Sequence, residues 1–135
     1  MSDSMRYARE AVQAAESAGA GYADARFVEL ELEDLRLHNG ALEGARAQAE
    51  RGLGLRVLVD GAWGFASAAG DEPGAPAELA RRAVSAARAL AAARTGPIEL
   101  SPDDLQSGEY KTPVVEDAFA LSYADKVDLM VEADK

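Results

Sequence analysis

The 135-residue chain contains no cysteine, which excludes a disulfide framework, a thiolate metal site and a cysteine nucleophile. Its single histidine is His38, so zinc motifs built on paired imidazoles cannot be assembled within one copy. Positive charge is scarce: fourteen Lys and Arg stand against twenty-four Asp and Glu, for a net charge of −10. That field repels polyphosphate and argues against direct nucleic-acid binding through a basic face. No apolar run approaches the roughly 20 residues of a membrane helix. The opening Met-Ser-Asp-Ser-Met-Arg also lacks the basic and apolar regions of a signal peptide. These absences predict a soluble, cytoplasmic protein with no membrane partner.

What is present suffices for a core. Apolar residues make up 48% of the chain, and its length suits one domain that needs neither disulfide nor metal to fold. The acid excess is uneven, net −3 over residues 1–96 and net −7 over residues 97–135. All eleven arginines fall in the first part and all three lysines in the second. Thirty alanines and the preference for arginine suggest a GC-rich bacterial genome.

Ser2, Asp3 and Ser4 offer N-cap oxygens to a first helix, along which Tyr7, Ala11, Ala14, Ala15 and Ala18 recur at three- and four-residue steps. Gly19-Ala-Gly21 stops it. From Tyr22 the period becomes two: Val28, Leu30 and Leu32 form the buried face of a strand whose other face carries Glu29, Glu31 and Glu33. The apolar phase then slips to Leu35 and Leu37, which predicts a break near Glu33-Asp34. Asn39-Gly40 and Asp60-Gly61 are hairpin turns, and Arg51-Gly52 reads as another turn. The strand between the first and the last of these is thereby split into Ala41–Glu50 and Leu53–Val59. Residues 62–68 follow, with Trp63 and Phe65 two apart on one face.

A loop over 70–76 leads to Pro76 at a helix start, and Leu79, Ala83, Ala86, Ala87 and Leu90 form the stripe of a helix ending near Arg94. Arg88 and Arg94 sit toward its negative end. Thr95-Gly-Pro97 stops it, and Ile98–Leu100 reads as a short strand. The expected fold class is α+β: an antiparallel meander of four to five strands with helices packed on one face, a two-layer sandwich. Residues 1–100 form this domain. Residues 101–135 are an extended surface connector followed by a helix with Ser122 and Asp125 as a capping box and Val127, Met130 and Val131 as its apolar face. That helix is short for independent stability, and it is expected to lead into a missing C-terminal domain and to be loosely held without it.

Chemistry is sparse. His38 reads as an exposed residue flanking a turn, and nothing in the pattern orients it for catalysis. Gly52-x-Gly54 lacks the third glycine of a dinucleotide fingerprint. Alternate carboxylates at Glu29, Glu31 and Glu33 read as a solvated face more readily than as ligands for a hard cation. The pairs Asp103-Asp104 and Glu116-Asp117 are loop acids. Trp63 and Phe65 are candidates for a peptide-binding ledge or a subunit interface, although packing of at least one against the second helix is expected. Asn39 and Gly40 are further contact candidates. No catalytic and no metal-ligating residue is assigned.

Three ordered runs carry a resemblance: Tyr22-Ala-Asp-Ala-Arg26; Asn39-Gly-Ala-Leu-Glu43; and Gly52-Leu-Gly-Leu-Arg56-Val-Leu-Val-Asp-Gly61-Ala-Trp63-Gly-Phe65-Ala-Ser67. With Tyr110-Lys-Thr-Pro113, Glu116-Asp-Ala-Phe119 and Lys126-Val-Asp-Leu129, the chain resembles the N-terminal domain of the TldD/PmbA family, once called modulators of DNA gyrase. The run ending Ala-Trp-Gly-Phe leans toward the TldD type, and Ala118 stands where the family commonly has proline. The resemblance implies a non-catalytic domain of a zinc metallopeptidase that cleaves unfolded peptides and whose zinc lies in the absent C-terminal domain on a His-Glu-x-x-x-His helix. It implies a wall of the proteolytic chamber as this domain's work. The implied partners are that C-terminal domain, a PmbA/TldE-type subunit or a second copy, and unfolded peptide. The alternatives are a stand-alone module that adds a partner strand along residues 41–50, and a modulator of DNA gyrase acting through protein contacts.

Overall fold

The structure is a computed structural model that describes residues 2–70, 72–93, 95–96, 98–101 and 104–134. Asp71, Arg94, Pro97, Pro102, Asp103 and Lys135, which enter the loop, helix-end, acid-pair and connector readings above, lie outside the described residues. The elements run α1 (Asp3–Ser17), β1 (Tyr22–His38), β2 (Ala41–Val59), β3 (Ala62–Ala69), α2 (Ala75–Ala91) and α3 (Tyr123–Ala133), with a single 3-10 turn at Ala118–Ala120. The strands form one antiparallel sheet in the order β1-β2-β3. The chain divides into two compact units, residues 1–29 with 50–109, and residues 30–49 with 110–135.

The first unit is an α+β arrangement built on alanine. Ser2 caps α1 by accepting from the Met5 amide at 3.1 Å, and α1 buries Tyr7, Ala11 and Ala15. Helix α1 ends where Gly19 takes φ +97° and the Ala20 amide reaches back to the Ala15 carbonyl. The guanidinium of Arg88, on α2, donates to the Ala18 carbonyl at 2.8 Å, so it serves the negative end of α1. Leu53, Leu55, Val57 and Val59 of β2 pair with Ala68, Ala66, Gly64 and Ala62 of β3. Leu53, Leu55, Val57, Val59 and Ala66 join Leu79, Ala80, Ala83, Val84 and Ala87 of α2 in the core. Ala23, Ala25 and Phe27 of β1 pack against it. Leu79, Ala83 and Ala87 of the expected stripe are buried, whereas Leu90 is exposed.

Among the described residues the sheet has three strands, and the four to five expected are not found, because Arg51-Gly52 is no turn. Strand β2 runs through it, and Gly52 lies opposite Ala69. The real turns carry two residues that tolerate positive φ, Asn39 (50°) with Gly40 (74°) and Asp60 (50°) with Gly61 (72°), whereas Arg-Gly offers only one. Gly52 instead permits close packing, since a Cβ there would lie 3.2 Å from the Ala68 carbonyl oxygen. The break expected at Glu33-Asp34 is likewise absent, and β1 is continuous. Val28, Leu30 and Leu32 are exposed and are not its buried face. Ala23, Ala25 and Phe27 in one stretch and Glu33, Leu35 and Leu37 in the other are half-buried at odd positions throughout, with Tyr22, Asp24 and Asp34 half-buried beside them, so no slip is needed. Ile98–Leu100 forms no strand, but the Ile98 amide donates to the Gly61 carbonyl at 3.0 Å.

In the second unit, residues 110–117 form no helix or strand, bend at Val115-Glu116 and are exposed. Helix α3 starts at Ser122, whose hydroxyl accepts from the Asp125 amide at 3.1 Å and donates to the Asp125 carboxylate at 2.6 Å. The expected cap is present in a shortened form, because aspartate reaches the serine hydroxyl rather than its backbone. No residue of α3 is fully buried.

Candidate functional site

Alternation along β3 decides where its aromatics go. Ala62, Gly64 and Ala66 lie under α2, so Trp63, Phe65 and Ser67 face the other way, opposite Leu58, Arg56 and Gly54. The expected packing of Trp63 or Phe65 into the core beneath α2 is therefore not found. The reason is steric: helix and sheet approach so closely at Gly64 that only very small residues fit between them.

The outward face is an aromatic ledge with its charges tied. The Tyr22 ring meets Trp63 edge-on at 5.9 Å and 84°. The Arg56 guanidinium lies 4.7 Å from the Trp63 ring centre, and its Nε donates to Asp24 Oδ2 at 2.8 Å. That hydrogen bond, with the charge of Asp24, raises the Arg56 pKa above its ordinary value. Phe65 is 64% exposed and overlies Gly54, where a Cβ would sit 3.5 Å from the ring. Such a surface can hold apolar or aromatic groups and offers no group poised to move a proton.

The backbone of β3 adds directional chemistry. The Gly70 amide donates to the Arg51 carbonyl at 2.8 Å, directly opposite in the register. Every second residue from Gly70 (68, 66, 64 and 62) therefore turns its amide and carbonyl toward β2. The corresponding groups of Trp63, Phe65 and Ser67 point along the free edge. Beside that edge lies a shallow apolar recess lined by Ala62, Trp63, Leu90, Ala93 and Ile98, with glycines 61 and 96.

Asn39 and Gly40 belong to the second unit, at the β1–β2 turn. The Gly40 amide donates to Asp134 Oδ2 at 2.7 Å. His38 is 67% exposed, with Nδ1 3.3 Å from Glu43 Oε1. Lys126 forms an ion pair with Glu33 and lies 5.5 Å and 5.6 Å from the ring centres of Phe119 and Tyr123. Sequence reading missed Tyr22, Asp24, Arg56, Glu33, Lys126 and Asp134 as partners. Glu33 and Lys126 are 93 residues apart, and no local pattern signals such a pair.

Among the described residues no group of three or more His, Cys, Asp or Glu could hold an ion. Glu29 pairs with Arg51 at 2.7 Å, Glu33 pairs with Lys126, and Asp117 accepts from the Phe119 amide at 2.9 Å. With one histidine and no cysteine in the whole chain, these residues do not fit a hydrolytic zinc. No helix among the described residues is long and apolar enough to cross a membrane.

Residues 23–87, from β1 into α2, match the family model described as PmbA/TldA metallopeptidase domain 1. No curated protein matches the chain.

Proposed function

We propose, from the match of residues 23–87 to PmbA/TldA metallopeptidase domain 1, that this chain is the non-catalytic N-terminal part of a zinc-dependent peptidase acting on unfolded peptides. The match over residues 23–87 carries the reading. With one histidine and no cysteine, the chain offers neither a paired-histidine nor a thiolate zinc motif, and that feature of the sequence supports the reading. The zinc and its general base then reside in another domain. This domain's work is architectural: it helps wall a chamber that admits only unfolded chains, and it contacts that domain and a PmbA/TldE-type subunit or a second copy.

Metal analysis and a peptidase assay test the first half of this reading. After dialysis against zinc, the chain should retain no stoichiometric metal and should leave a casein-like substrate intact. A tight one-to-one site with chelator-sensitive cleavage would overturn it. For the chamber role, a parent peptidase lacking residues 1–100 should begin to cut folded proteins; unchanged selectivity would remove the wall from the account.

A second reading, a module that adds a partner strand along residues 41–50, draws on one observation. Strand β3 pairs with β2 only from Gly52 onward, so Ala41–Ala47 gain no partner from β3. Amide-shift mapping with an unfolded peptide separates the two, because strand addition there perturbs residues 41–50.

A further inference from the structure

We propose that the free edge of β3 is a docking site for an extended, uncharged peptide segment. The segment pairs with the backbones of Trp63, Phe65 and Ser67 and sets one apolar side chain into the recess beside Trp63. The inference stands on this edge alone, and it survives even if the parent protein proves not to be a peptidase.

An edge strand presents a ready template for another chain, and proteins usually blunt it with charge, proline or a bulge. Strand β3 has none of these. Its eight residues, Ala-Trp-Gly-Phe-Ala-Ser-Ala-Ala, include no charge and no proline, and its register with β2 is unbroken from Ala62 to Ala69. Strand β1 differs, carrying Asp24, Arg26 and Glu29 within the same unit. Among the described residues no strand pairs with the outer side of β3, although just before its start the Gly61 carbonyl accepts from the Ile98 amide, so docking is confined to the edge from Trp63 onward. Backbone pairing supplies affinity in such additions, and pockets for alternate side chains supply selectivity.

Charge decides the occupant. The described lining of the recess has no ionisable group, and the nearest charges on the ledge, Arg56 and Asp24, neutralise each other. A neutral edge on a chain of net charge −10 accepts an uncharged strand and disfavours an acidic one. A second copy of this chain carries that same acidic charge, so an unfolded uncharged peptide is the better match. Period two then places one set of its side chains over Trp63 and Phe65, and the other set toward Leu90 and Ile98.

The test uses the whole chain, isotope-labelled, and an acetylated, amidated octapeptide of alternating leucine and threonine. Amide shifts should centre on residues 62–69, with Leu90 and Ile98 responding. Methylating alternate peptide nitrogens, in the phase that faces β3, should weaken binding at least tenfold. Replacing the threonines by glutamates should weaken it as well. Ser67→Pro removes an outward amide without touching the β2 ladder, a position where an edge strand tolerates proline, and it should weaken binding at least tenfold. Shifts centred on residues 41–50, equal binding of the methylated peptide, or concentration-dependent shifts of 62–69 without peptide would each overturn the proposal. The methylated peptide keeps it falsifiable should Ser67→Pro fail to fold.

Discussion

A Cβ built on Gly64 would lie 2.0 Å from the carbonyl oxygen of Ala83 and 2.9 Å from the Cβ of Ala87. Helix α2 thus rests on the backbone of β3, and the contact leaves no room for a side chain. Gly64→Ala should therefore cost about 2–3 kcal/mol, as overpacking against immobile backbone does. The melting temperature should fall by roughly ten to twenty degrees. Gly54→Ala, whose new methyl would meet the movable Phe65 ring at 3.5 Å, should cost much less. Thermal denaturation of both variants checks the contrast.

The ledge can be followed through the chain's only tryptophan. Arg56→Ala removes the guanidinium that covers the Trp63 ring at 4.7 Å. Trp63 emission should shift to longer wavelength while stability changes by about 1 kcal/mol or less. An unchanged spectrum would mean that the stacking is not maintained in solution.

Lys126 ties helix α3 to β1 within the second unit through its ion pair with Glu33. Its side chain is 14% exposed and that of Glu33 is 23% exposed, so the pair is largely withdrawn from water and breaking it strands a charge. Lys126→Ala should speed hydrogen exchange across Tyr123–Ala133 while leaving Leu53–Val59 protected. Equal loss in both stretches would contradict a tie confined to the second unit.

A pH effect follows from Glu78. Hydrogen bonds from Arg81 at 2.6 and 2.9 Å, together with its charge, hold the Glu78 carboxyl below the usual glutamate range. A carboxyl with a lowered folded value contributes stability that is fully present above the unfolded pKa and is lost as pH falls through the folded one. Side-chain NMR titration should find the Glu78 midpoint moving upward in Arg81→Ala.

Local chemistry made much of this fold legible. The turns at Asn39-Gly40 and Asp60-Gly61 follow from residues that accept positive φ. The cap at Ser2 follows from its hydroxyl, and the start of α2 from Pro76. Arg51-Gly52 misled because a glycine in a strand can serve a close approach as readily as a turn, and only the neighbouring Ala68 carbonyl distinguishes the two. Val28, Leu30 and Leu32 misled because alternation shows that two faces differ without showing which one is covered.

From its residues alone the chain determined the helices, the hairpins, the absence of cysteine and of a second histidine, and the family likeness over its sheet. Those depend on near neighbours and on residue types. Tertiary structure decided that alanine and glycine lie beneath α2, that Trp63 and Phe65 turn outward, and that Glu33 meets Lys126. Such outcomes rest on which surfaces are buried against each other, and burial joins residues that the chain order keeps apart.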